Sequence, residues 1–199
     1  MTQPIWIEAA INGPWGVARQ PGIPIAIPDI VADGIAAVEA GAAIVHLHVY
    51  DLETGRQRDD WELYAKAIEG IRAKVDAIVY PTIPIVGSAY AGDIIGSGRY
   101  THLEELAKRG LVEWGVLDPG SCNWTTFDGI PEGEPGFIYQ NPGEHIREGM
   151  AVAQAHGIHP SYAIYEPGFT RLGAALAKAY PGMPCPIYRL MFSDAFAWG

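Results

Sequence analysis

Positive charge is scarce in this sequence: 13 Lys and Arg stand against 23 Asp and Glu, a formal net charge of −10. A surface of that sign repels a phosphate backbone over most of its area, which argues against non-specific nucleic-acid binding. It leaves a small substrate unconstrained, because a cleft can oppose the global sign. Cysteine is nearly missing too. Cys122 and Cys185 cannot build a disulfide framework, and a reducing, cytoplasmic setting is the simpler expectation. Long apolar runs are also lacking. Gly, Pro, Asp or Glu interrupts every candidate before it reaches the length of a membrane span, so no membrane association is expected. The segment from Met1 to Glu8 has no basic stretch ahead of an apolar one and reads as a first strand, not a signal peptide. What is present is a globular composition, 49% hydrophobic and 18% charged. Its 199 residues suffice for one domain with a sizeable core, and a single domain over 1–199 is expected.

Short apolar runs alternate with helical patterns. The runs are Ile5 to Ile11, Ala43 to Val49, Ala77 to Ile83, Leu111 to Leu117, Tyr162 to Tyr165 and Ile187 to Phe192. Between them lie helix signals: Pro28-Asp29 as a start and Gly41 as a stop; Trp61, Tyr64, Ala65, Ile68 and Ile71 at helical spacing; Thr101 with Glu104 as a capping box closed by Gly110. Asn141-Pro142 with Glu144 opens a helix ending at Gly157, and Phe169, Leu172 and Leu176 mark another closed by Pro181-Gly182. Such alternation implies βαβ units and a parallel sheet. The expected fold is a (β/α)8 TIM barrel that stops after its sixth strand, since a closed barrel usually needs about 250 residues. A complete, smaller open sheet is the alternative. Gly120 to Tyr139 reads as a long irregular loop over one face.

Polar residues gather at the C-terminal ends of the runs: Asn12; His46, His48 and Asp51; Tyr80 and Thr82; Asp118, Ser121 and Asn123; Tyr165 and Glu166; Ser193 and Asp194. In a parallel barrel these ends share the face that carries active sites. His46-Leu47-His48 is the sharpest signal. Residues two apart on a strand point the same way, about 7 Å apart along it, so both imidazoles can converge on one divalent ion, and zinc suits them. The plainer reading is a pair of core histidines satisfied by protein partners. Glu8, on the face of Trp6 and Ala10, is a supporting group for a metal-bound histidine or a carboxylate paired with an arginine. Glu166 is a third ligand, a base or a helix N-terminal neighbour. Asp118 is a turn residue or a substrate contact, and Thr82 and Ser121 are weaker contacts of the same kind. Arg189 is expected to pair with an interior acid such as Glu8 or Glu166. His102, His145, His156 and His159 read as solvated or capping residues.

Several pieces in order resemble one family: Ala9-Ala10-Ile11-Asn12-Gly13, Glu39-Ala40-Gly41-Ala42, Val45-His46-Leu47-His48-Val49 with Asp51 and Gly55, and Tyr80-Pro81-Thr82. Asp118-Pro119-Gly120-Ser121, Tyr165-Glu166-Pro167-Gly168 and Phe192-Ser193-Asp194 follow. Together they resemble the β-keto acid cleavage enzymes, typified by the 3-keto-5-aminohexanoate cleavage enzyme. The resemblance implies a zinc-dependent, commonly oligomeric (β/α)8 barrel. The implied reaction is a Claisen and retro-Claisen exchange in which a β-keto acid and acetyl-CoA give acetoacetate and a new acyl-CoA. It maps zinc ligands onto His46 and His48 and substrate contacts onto Thr82 and Asp118. Asp118 stands where the typical member has asparagine, and Ala163 where it has an acid. The family's third zinc ligand, a glutamate, falls in βα units beyond those read here, so the main acid/base is not assigned. The competing expectations are a metal-dependent amidohydrolase-like barrel and an inactive barrel fragment.

Overall fold

The computed structural model describes residues 5–17, 20–84 and 98–197. Met1 to Pro4, the lead-in to the first expected strand, and the terminal Trp198-Gly199 lie outside the described residues. The chain divides into two units, one drawn from Met1–Pro84 with Thr101–Gly115, the other from Ile85–Tyr100 with Val116–Gly199.

The first unit holds β1 (Glu8–Ala10), α1 (Ile27–Glu39), β2 (Ile44–Leu47), α2 (Trp61–Arg72), β3 (Ile78–Pro81) and α3 (Thr101–Lys108). Proline in the first turn of α1 costs no hydrogen bond, because that N–H has no helical partner anyway. Gly41, at φ 113, then lets the chain leave the helix in a conformation side chains disfavour. Helix α2 is capped by Asp60, whose side chain accepts from the N–H groups of Glu62 and Leu63. Its apolar face, Tyr64, Ala65, Ile68 and Ile71, is buried. Two glycines let α1 and α2 approach closely: Gly34 lies against Ile71, and a Cβ on Gly70 would fall 2.7 Å from Val31 Cγ2. The strands form a parallel sheet in the order β1-β2-β3. All of β2 is buried, as expected for a strand in a covered parallel sheet.

The chain passes through β4 (Trp114–Val116) into the second unit, which contains β5 (Cys122–Trp124), α4 (Gly129–Glu132), β6 (Phe137–Tyr139), α5 (Gly143–His156), β7 (His159–Ile164), α6 (Pro167–Ala179) and β8 (Ile187–Leu190). Its main sheet runs β4-β7-β8, with β7 and β8 parallel. The six apolar runs thus all become strands in two three-stranded sheets, and no closed barrel occurs among the described residues.

One correction concerns the stretch read as irregular loop. β5 and β6 pair antiparallel, Cys122 with Tyr139 and Trp124 with Phe137. Each strand has only three residues, and Gly133 and Gly136 with positive φ separate them, so no apolar run was there to mark them. Aromatic packing holds the ribbon: Trp124 meets Phe137 and Tyr165 at 5.1 Å between ring centroids. Cys122 and Cys185 are free thiols. No described helix is long and apolar enough to cross a membrane.

Candidate active site

Strand register builds the site in tiers. Across the sheet Glu8, Ile44 and Ile78 form one row, and Ala10, His46 and Tyr80 form another two residues further along. Neighbours in register share a face, as do residues two apart, so Glu8, His46 and Tyr80 belong to one face of the first sheet. The ladder continues past the strands, with Ile11 N–H donating to His46 O and Thr82 N–H to Leu47 O. Asn12, His48 and Thr82 therefore form the next tier at the C-terminal ends.

Both histidines are buried, and their ring centroids stand 5.2 Å apart at an interplanar angle of 78°. The shared side expected from their spacing is thus present. His46 also packs on Tyr80 at 4.9 Å, and the Tyr80 hydroxyl donates to Glu8 Oε1 at 2.8 Å. Glu8 reaches the histidine pair through this tyrosine.

His48 is held by backbone and side chain. Asn12 Oδ1 accepts from His48 N–H at 2.8 Å, and Asn12 Nδ2 donates to His48 O at 3.1 Å and to Pro24 O at 3.0 Å. One buried amide thus adds a rung to the ladder where the strand ends. On the ring, Nδ1 lies 2.8 Å from Gln57 Oε1. Gln57 Nε2 donates in turn to Asp59 Oδ1 at 2.9 Å and to Ile83 O at 3.2 Å. Sequence reading missed Gln57. The available signal was the turn before it: Asp51 Oδ1 accepts from the N–H groups of Glu53 and Thr54 and from the Thr54 hydroxyl, and Gly55 takes φ 67. That turn reverses the chain and pairs Gln57 with Tyr50.

Two histidine readings are corrected. His102 is buried, with Nε2 2.8 Å from Thr82 O and its ring against Tyr64 at 5.5 Å. His145 is buried in the first turn of α5. Both were read as solvated or capping residues because their helices are polar around them; for His102, contacts remote in sequence account for the burial. His156 is exposed, and His159 Nδ1 lies 2.9 Å from Cys185 O.

In the second unit Asp118 is only 2% exposed. Its carboxylate accepts from the Tyr139 hydroxyl at 2.7 Å and from Ala163 N–H at 2.6 Å. Burial lifts its carboxyl above the ordinary range, against the lowering influence of Arg189, of these two donors and of Arg99. Arg189 is therefore coupled to Asp118, an acid not named among its expected partners. Ser121 is exposed, and its hydroxyl accepts from Asn141 N–H at 2.8 Å. Glu166 is exposed at the N-cap of α6, where its side chain makes no capping bond.

Parallel strands alternating with helices define an α/β protein, and in the first unit imidazole, amide and hydroxyl groups stand at the C-terminal ends of the strands. Residues 4–195 match the model of the beta-keto acid cleavage enzyme family. The chain belongs to that family, which decides against the amidohydrolase alternative. It is 26% identical over 194 residues to the 3-dehydrocarnitine:acetyl-CoA trimethylamine transferase of Rhizobium meliloti, covering 89% of this chain and 61% of that protein. It is 30% identical over 171 residues to the 3-keto-5-aminohexanoate cleavage enzyme of Fusobacterium nucleatum, covering 84% of this chain and 55% of the relative. With the 3-oxoadipate:acetyl-CoA acetyltransferase of Cupriavidus necator it shares 30% over 181 residues, 90% of this chain and 56% of the other. The matched region thus spans between 55% and 61% of these relatives' lengths. The fold is similar to the apo structure of ObcA, with a TM-score of 0.68 at 18% identity over 86% of this chain and 36% of that one.

Proposed function

We propose that this chain carries the histidine side of a zinc-dependent site that exchanges acyl groups between a β-keto acid and acetyl-CoA, releasing acetoacetate. The observation that carries the reading is the buried pair His46 and His48 on one face at the end of β2, within a span that matches the family. The names of the relatives support acetyl-CoA as co-substrate. The donor set fits the metal: two neighbouring imidazoles, one of them already oriented by an amide, suit a borderline-soft divalent ion. When bound, zinc would supply Lewis-acid polarisation of a substrate carbonyl.

The protein's own groups have separate tasks. His46 and His48 hold the ion, and Asn12 fixes the backbone from which His48 projects. Glu8 keeps Tyr80 against His46. Thr82, Ser121 and Glu166 are proposed substrate contacts. Asp118 enters through the hydrogen bonds that hold Tyr139 and Ala163. The (β/α)8 barrel and a homo-oligomeric state belong to the same proposal; the parallel β–α alternation in each unit supports the first.

Among the described residues no group of three or more His, Cys, Asp and Glu is placed to hold a metal ion. A catalytic zinc normally has three protein ligands, so zinc held by His46 and His48 alone is expected to leave on dialysis. Incubation with acetyl-CoA and a panel of β-keto acids, read as acetoacetate, tests the reaction. Metal analysis beside it tests the ion. Stoichiometric zinc retained after His46→Ala and His48→Ala together would refute the ligand assignment.

A further inference from the structure

We infer that Gln57 is a positioning residue that fixes the tautomer of His48, so that Nε2 is the ring atom offered to a divalent cation. The inference rests on the zinc reading above for its purpose but on hydrogen-bond chemistry for its substance.

A side-chain amide has a donating end and an accepting end, and its orientation follows from its neighbours. The Gln57 nitrogen end faces Asp59 Oδ1 and the Ile83 carbonyl oxygen. A carbonyl oxygen only accepts, and so does an ionised carboxylate. Turning the amide over would set an oxygen against two acceptors, so Oε1 must be the end that faces the ring. An oxygen with lone pairs 2.8 Å from His48 Nδ1 requires a proton on that nitrogen. In the neutral ring the lone pair then sits on Nε2.

The device is anchored at both ends. Tyr50 pairs with Gln57, Asp51 N–H donates to Arg56 O, and Arg58 N–H donates to Val49 O. Gln57 thus returns alongside the segment that continues from His48, and Ile83 beyond β3 supplies the second anchor. The ring is held by a partner that is itself held, which keeps a ligand in place before the ion arrives.

Nitrogen NMR of the metal-free protein tests the inference without activity. Expected are a protonated, pyrrole-type Nδ1 and an unprotonated, pyridine-type Nε2 for His48. A wild-type His48 protonated on Nε2 instead overturns it. Gln57→Met keeps side-chain length and removes the acceptor. It is expected to give mixed tautomers and about 10- to 100-fold weaker zinc binding, read by competition with a chromophoric chelator. Gln57→Glu keeps an acceptor for Nδ1 but sets its second oxygen against Asp59 Oδ1 and the Ile83 carbonyl, so only partial recovery of the Nδ1–H form is expected. Unchanged tautomer and affinity in Gln57→Met also overturn the inference. Should that variant fail to fold, the wild-type spectrum still decides. A wild-type protein with the Nδ1–H tautomer but no zinc affinity would sink the zinc reading while leaving the role of Gln57 intact.

Discussion

At the scale of single residues, one buried amide and one buried carboxylate support much of the two strand-end clusters. Asn12 satisfies both backbone groups of His48 and the carbonyl of Pro24. Asn12→Ala strands these groups in a buried setting and is expected to cost about 2–3 kcal/mol by chemical denaturation. Asp118 has the opposite pH signature from most carboxylates. Burial, its largest influence, raises its folded pKa above the ordinary 3.8, so the folded chain holds the proton more tightly than the unfolded one. Its contribution is full below the unfolded value and is lost as pH rises through the folded value. Asp118→Asn should flatten that decline in thermal melts taken upward from about pH 4. Asp118→Ala, which removes the acceptor of the Tyr139 hydroxyl and of Ala163 N–H in a buried setting, should cost about 2–3 kcal/mol. The histidine tier was legible in the sequence because period two needs no tertiary information. Gln57 and His102 were not, because their partners lie beyond a turn or on another element, and local spacing carries no record of a carbonyl such as that of Thr82.

At the scale of elements, the helices other than the four-residue α4 were read with nearly their observed ends, since proline, capping residues and glycine act within a turn of where they stand. Helix α1 was expected to open at Pro28 and opens at Ile27, and α2 starts at Trp61 behind the Asp60 cap. The short ribbon β5–β6 was invisible for a matching reason: three residues per strand give no period to count. The close meeting of α1 and α2 depends on side chains that are absent. Gly70→Leu would drive carbon into Val31, and overpacking of this kind costs about 1–3 kcal/mol. A drop in melting temperature should accompany it, while Gly13→Ala, with open space around it, should move the melt far less. An unchanged melt in Gly70→Leu would mean that the helices separate freely.

At the scale of the whole molecule, one edge strand of each three-stranded sheet carries exposed apolar side chains. Beside β1 these are Ile5, Trp6 and Ile7; at β8 they are Leu190 and, just beyond, Phe192. Unpaired strand edges with apolar side chains invite association, and the net charge of −10 opposes it. Self-association is therefore expected to grow with added salt, which screens the repulsion. Leu190→Lys with Phe192→Ser should reduce it, read by light scattering at matched concentration. Equal scattering in the variant would place the adhesive surface elsewhere.

The two units take turns along the chain: the first receives Thr101–Gly115 only after the second has begun at Ile85. A nascent polypeptide emerging from the ribosome therefore cannot complete its first unit at Pro84. Helix α2 must wait for α3, and Arg72 for its hydrogen bond to the Leu111 carbonyl and its ion pair with Glu113. Arrested chains that expose residues only to about Pro84 should stay open to protease, and those extended past Gly115 should gain protection over α2. The first unit is thus completed by Thr101–Gly115, which is made after a stretch that belongs to the second.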